Sequence, residues 1–177
     1  MDQFRSFDQL RTNELSVLRH GFFKLWFELT DGQFWYGKLS YGSLWKTTFI
    51  LETDKKTWII KRKGILKQTF LISDAEGANL GSVTPEVWSR KVILRMNDGF
   101  EAIYLNKKLF TRTFNLTSNQ LGDILNIQSA LWSFKTPFKV SLDLDMLKKI
   151  PNLPLLALLG VNLLLIKQAK AANAAGG

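Results

Sequence analysis

The sequence predicts a mainly β protein: a closed antiparallel barrel folded around a central hydrophobic C-terminal helix, with a short N-terminal helix before it. Three observations carry that expectation. Short runs rich in Val, Ile, Phe, Trp, Tyr and Thr recur between turn residues from about Phe34 to Leu144. The stretch from Ile150 to Ile166 is apolar on nearly every side, so it must be enclosed by protein or embedded in lipid. The chain of 177 residues is 46% hydrophobic and 22% charged, a globular composition with enough apolar mass for a sizeable core.

Residues 1–30 read as a helical segment. Leu10, Leu15, Leu18, Phe22, Leu25 and Leu29 recur three to five positions apart, close to a helical period. Asn13 offers a cap and Gly21 an interruption. Met1–Asp8 carries acids and no long apolar stretch follows, unlike a secretory signal. The expectation is a cytoplasmic protein, peripheral at a membrane if it meets one, and not a secreted one.

Residues 31–170 form the expected barrel domain. Candidate strands are 34–41, 45–52, 57–62, 66–73, 78–84, 91–97, 99–105, 107–115, 123–131 and 137–143. Thr53-Asp54-Lys55-Lys56, Asp74-Ala75-Glu76-Gly77 and Asn97-Asp98-Gly99 separate some of them. The Asp-Gly pair in the last tolerates the positive backbone angles of a tight hairpin turn. Such short, evenly spaced strands fit a meander, a barrel or a sandwich. A weak internal echo points to two similar halves: Phe49, Leu51 and Ile60 return 43 positions later as Val92, Leu94 and Ile103, and Thr69-Phe70 returns as Thr113-Phe114.

The helix chooses among these. It is expected over 152–168, with Pro154 in the first turn, where its missing N–H costs nothing. Pro154, Leu156, Leu159, Gly160, Leu163 and Ile166 are its expected structural residues. From Leu153 to Ile166 there are 14 residues, a length of about 21 Å against the roughly 30 Å of a bilayer core. Asn162 lies inside the run, and an unpaired amide in hydrocarbon is costly. Gly160 permits a close backbone neighbour, which suits a tight protein sheath. The reading therefore favours a helix sheathed by the chain's own strands over a membrane span, and residues 171–177 are expected to be a flexible tail.

Charge narrows the partners. Twenty-four Lys and Arg against 15 Asp and Glu give +9, so the expected partners are anionic. Residues 1–28 are neutral, 29–135 carry +6 and 136–177 carry +3. The densest cluster is Lys55, Lys56, Lys61, Arg62, Lys63 and Lys67, the candidate anion-binding residues. Arg90, Lys91 and Arg95, then Lys107, Lys108 and Arg112, form smaller groups. Lying in or beside candidate hairpins, all three groups could line one face of a sheet.

The chemistry left open is narrow. With no cysteine there is no disulfide, thiolate zinc site or thiol nucleophile, and His20 alone cannot build a two-histidine metal site or a His-paired triad. Gly32, Gly37 and Gly42 are not followed by the Gly-Lys-Ser/Thr of a phosphate loop. The expectation is a non-enzymatic binding or scaffold module without metal or cofactor, contacting anionic phospholipid headgroups. A structural subunit of a larger protein or ribonucleoprotein assembly is the rival, and a tail-anchored membrane protein the third reading. A single-stranded nucleic-acid barrel would use the basic strands and tryptophans but leaves the apolar helix unexplained.

Phe138-Lys-Val-Ser-Leu-Asp-Leu-Asp145, followed by a basic linker and the apolar helix, resembles the C-terminal end of phospholipid scramblases. Phe70-Leu-Ile-Ser-Asp-Ala-Glu-Gly77 with Leu80-Gly81 is similar to a recurrent hairpin of the related LURP-one-related and tubby C-terminal domains, and Asp8-Gln9-Leu10 to an element before the scramblase barrel. The resemblance implies a twelve-stranded barrel around a central C-terminal helix, and phosphoinositide or phospholipid binding. The scramblase cysteine cluster has no counterpart here, and its acidic calcium-binding run is replaced by Trp132-Ser-Phe-Lys-Thr-Pro-Phe138. Calcium dependence and scrambling are therefore not expected. Asp143 and Asp145 read as structural, pairing with Lys148 or Lys149 or capping the terminal helix.

Overall fold

The computed structural model describes residues 4–22, 24–42, 48–64, 69–86, 91–106, 113–130, 133–150 and 152–175. Within them, twelve antiparallel strands close into a single barrel. The first six are β1 (Glu14–His20), β2 (Trp26–Thr30), β3 (Trp35–Tyr41), β4 (Thr48–Glu52), β5 (Thr57–Lys63) and β6 (Thr69–Ser73). The rest are β7 (Asn79–Pro85), β8 (Val92–Met96), β9 (Glu101–Leu105), β10 (Thr113–Ser118), β11 (Gly122–Ser129) and β12 (Phe138–Leu142). Each strand pairs with its neighbours in sequence, and β1 pairs with β12 to close the circle, for example Leu15 with Val140.

The ten candidate strands overlap β3 through β12, and their residues 45–47, 66–68, 107–112 and 131 lie outside the described residues. The two that complete the circle come from the segment read as helical. Among the described residues there, a single 3-10 turn, Phe7–Gln9, is helical. The correction has a clear cause. Leu15 and Val17, then Phe27 and Leu29, are buried at alternate positions, the period of a strand, while Phe22 sits on the turn between them. Leucines on two antiparallel strands joined by a short turn happened to match a helical spacing.

Inward-facing side chains make one continuous core: Leu15 and Val17 on β1, Leu39 on β3, Trp58 and Ile60 on β5, Ile72 on β6, Ile127 on β11 and Val140 on β12. The internal echo holds where both copies face inward, Leu51 on β4 with Leu94 on β8 and Phe70 on β6 with Phe114 on β10. It fails at Ile60 and Ile103, of which only the first is buried.

The core's centre is the helix. α1 (Leu144–Lys149) is short and begins at Asp143, whose carboxylate accepts the Asp145 N–H at 2.9 Å. Asp143 thus caps α1 and not the terminal helix. α2 (Leu153–Ala175) then runs through the barrel, with every residue from Leu153 to Leu164 buried. Pro154, Leu156, Leu159, Gly160 and Leu163 are enclosed and Ile166 is half-buried at the far mouth. Tyr104 on β9 donates its hydroxyl to the Leu156 carbonyl at 2.6 Å; burial holds that hydroxyl far above its ordinary pKa, so it remains a donor.

Glycine permits the closest approaches. A Cβ at Gly160 would collide with the Ile127 side chain and lie 2.9 Å from Tyr104 Cε1, and one at Gly37 on β3 would lie 2.9 Å from Leu158 Cδ1. α2 is also longer than its apolar run suggested. The Ala, Lys and Gln after Ile166 are strong helix formers and carry it to Ala175, where a flexible tail was expected. By length and composition it could cross a membrane. Here the strands enclose its apolar half.

Asn162 is 1% exposed, and neither its Nδ2 nor its Oδ1 has a hydrogen-bond partner. An unsatisfied buried amide costs about 1–3 kcal/mol. Asn162→Leu, which keeps the branch at Cγ and removes the unpartnered amide, is expected to raise unfolding free energy by about that amount. Gly160→Val is expected to lower it by about 1–3 kcal/mol through overpacking. Denaturant melts followed by circular dichroism check both, and a stabilising Gly160→Val would contradict the close approach described above.

Candidate functional site

Because neighbouring strands run in opposite directions, every second connection opens on the same mouth of the barrel. α2 starts at one mouth, where Lys56 Nζ donates to Asn152 Oδ1 at 2.9 Å. It leaves at the other, where Lys167 Nζ donates to Asn106 Oδ1 at 3.0 Å just past the end of β9. These are the inlet and the outlet. Strands of five to eight residues at about 3.3 Å per residue separate them by roughly 20 Å.

The two mouths differ in charge. The inlet turns and strand ends carry Asp31, Glu52, Asp54, Asp74, Glu76, Asp98, Glu101 and Asp123, with Asp143 and Asp145 beside them. Its cations stand among these acids. Lys55 is paired with Asp8, a contact that raises the lysine's pKa and lowers the carboxyl's. Arg95 Nε lies 3.1 Å from Glu101 Oε1.

The outlet is basic. Arg19 and Lys24 flank the β1–β2 turn, Lys61, Arg62 and Lys63 end β5, and Lys91 precedes β8. Lys135 and Lys139 bracket the start of β12, and Lys167 and Lys170 stand on the emerging helix. Glu86 is the acid in this set among the described residues. The density is felt electrostatically: the Lys170 pKa is lowered, first by desolvation and then by the Arg62 charge.

The sequence cluster is therefore divided. Lys61, Arg62 and Lys63 are exposed together at the outlet, while Lys55 and Lys56 lie at the inlet, one length of β5 away. There they line an open cleft of about 460 Å³ together with Asp54, Asp74 and Glu76, a mixed-charge wall poorly suited to an anion. Among the described residues the basic groups do not gather in one place, since Lys91 and Arg95 also stand towards opposite ends of β8. Lys67, Arg90, Lys107, Lys108 and Arg112 lie outside the described residues.

Sequence reasoning missed Arg19, Lys24, Lys135 and Lys139, which are far apart in the chain. It also missed two apolar side chains at the same mouth, Phe22 at 92% exposure and Phe134 at 85%. The usable signal was strand parity. Once successive strands are counted, residues after odd-numbered strands share an end.

A second polar feature lies on the outer wall. Glu28 on β2 is only 2% exposed, opposite Leu18 on β1 and Lys38 on β3. His20 Nε2 lies 2.8 Å from its Oε2 without hydrogen-bond alignment, and the imidazole stacks on Trp26 at 4.0 Å between ring centres. Lys38 Nζ stands 5.2 Å from the Trp26 ring centre. Burial raises the Glu28 pKa above the usual carboxylate range, against an opposing pull from His20. Among the described residues, no three His, Cys, Asp or Glu side chains gather as metal ligands would.

Comparison with protein-family models, with curated proteins and with solved structures finds no match to this chain.

Glu28 carries a pH prediction. A carboxyl whose folded pKa is raised contributes stability that is fully present below its unfolded pKa and is lost as pH rises through the folded value. Melting temperature is therefore expected to fall between acid and neutral pH more steeply in the native chain than in Glu28→Gln. Parallel curves for the two proteins would contradict the assignment.

Proposed function

We propose that the protein is a non-enzymatic module that binds anionic phospholipid headgroups at a membrane surface through the barrel outlet. The observation that carries this reading is the separation of charge between the mouths. Lys61, Arg62, Lys63, Arg19, Lys24 and Lys135 gather where acids are scarce, and the acids gather at the other end. Each basic side chain held near an anionic leaflet contributes about 1 kcal/mol, and the effect fades within a Debye length of about 8 Å. An outlet facing the bilayer keeps the inlet acids roughly 20 Å away, beyond that reach. The resemblance of Phe138–Asp145 and the following helix to phospholipid scramblases supports the same ligand class. The rival reading, a subunit docking protein or RNA through the same cations, shares the electrostatics but predicts indifference to lipid.

Flotation with vesicles of phosphatidylcholine, alone or mixed with phosphatidylserine, tests the proposal. Binding is expected to need the anionic lipid and to weaken with added salt. The triple variant Lys61→Glu, Arg62→Glu, Lys63→Glu is expected to lose about a hundredfold or more in partition coefficient. Lys55→Glu, Lys56→Glu is expected to change it less than about threefold, since those charges stand beyond the screening length. Binding to an RNA oligonucleotide with no preference for anionic vesicles would overturn the reading in favour of the rival.

A further inference from the structure

We infer that Phe22 and Phe134 are paired membrane-inserting prongs, which hold the barrel upright with its outlet, and the carboxyl end of α2, towards the bilayer. The inference rests on the electrostatic reading above and adds an insertion step and an orientation to it. A single exposed phenylalanine on a soluble protein calls for no explanation. Among the described residues, these two are far more exposed than the other large apolar side chains at the surface, Phe34 at 39%, Leu144 at 38% and Trp35 at 37%. They also stand on adjacent connections of one mouth. The Arg19 N–H donates to the Lys135 carbonyl at 2.8 Å, so the strand leading to Phe22 is bonded to the residue after Phe134.

Both tips are held by local structure. At the β1–β2 turn Gly21 takes φ +75°, and a Cβ there would strike the Lys24 carbonyl, so the chain folds back tightly beside Phe22. The Ala130 N–H donates to the Pro137 carbonyl at 2.9 Å across the base of the β11–β12 connection, and the Thr136 N–H to Ser133 Oγ at 2.9 Å within it. Each phenylalanine has a lysine close by in sequence, Lys24 and Lys135. An apolar tip flanked by cations suits the boundary between headgroups and acyl chains, where the ring enters the apolar layer and the ammonium meets phosphate. Both tips stand on the same rim as the basic end of β5, so an outlet that faces the bilayer brings all three to the headgroups.

The chain has no cysteine, so single labels can be placed without background. An environment-sensitive fluorophore on Phe22→Cys or Phe134→Cys is expected to shift to the blue on phosphatidylserine-containing vesicles, and one on Glu76→Cys at the inlet is expected not to shift. The double variant Phe22→Ser, Phe134→Ser is expected to lose on the order of tenfold in partition coefficient per ring. It should also lose the binding that the native chain keeps near 1 M salt, where the Debye length is about 3 Å. Labels at 22 and 134 that stay in water on vesicles the chain still binds would overturn the prongs and leave the electrostatic reading standing. A blue shift at 76 would overturn the orientation. Failure of the native chain to bind anionic vesicles at low salt would overturn the electrostatic reading and the prongs with it.

Discussion

The enclosure of α2 is the constraint on which the rest of the molecule depends. A helix apolar around its whole circumference gives the chain no solvent-facing side to leave outside, so a sheet against one face is not enough. Closure answers this. β1 meets β12, the buried side chains described from Leu15 to Leu142 form one core with the helix, and each described strand has a partner on both sides. At about 25 cal/mol per Å² of apolar surface, the side chains from Leu153 to Leu164 and their surround dominate the stabilising side of the balance. The requirement also explains the small residues at the contacts. Gly37 and Gly160 sit where strand and helix come too close for a side chain on either.

Most of this was legible in the sequence because most of it follows from period and composition. β3 to β12 announce themselves by alternation between turn residues, and the helix by an unbroken apolar run. What escaped did so for particular reasons. β1 and β2 carry leucines whose positions satisfy a helical spacing as well as a strand one, and only pairing with β12 decides between them. The last turns of α2, from Lys167 onwards, are set by helix propensity outside the barrel, which hydrophobic patterning does not register. Lys55 to Lys67 looked like one cluster because closeness in sequence was taken for closeness in space. A strand of seven residues carries the chain from one mouth to the other, so Lys56 and Lys61 belong to different surfaces. The outlet surface itself joins residues as distant as Arg19 and Lys170, and no local window contains it.

The charge arrangement uses the barrel's length. In a shorter body the inlet carboxylates would offset much of the field of the outlet lysines. Across roughly 20 Å, more than two Debye lengths at physiological salt, the two ends act almost independently. A net charge of +9 therefore understates how basic the outlet is and conceals an inlet of the opposite character. Strand length sets that separation, since successive turns lie at alternate ends of the strands they join.

The two lysine–asparagine hydrogen bonds at the ends of α2 have a mechanical meaning. Lys56 with Asn152 and Lys167 with Asn106 moor the helix at opposite rims, as a bolt is held at head and nut. A slip of one residue along the axis is 1.5 Å of travel with about 100° of rotation. It would turn a leucine or valine towards Ile127 and Tyr104, where Gly160 now lies. The rod is thus keyed to a single setting along and about its own axis.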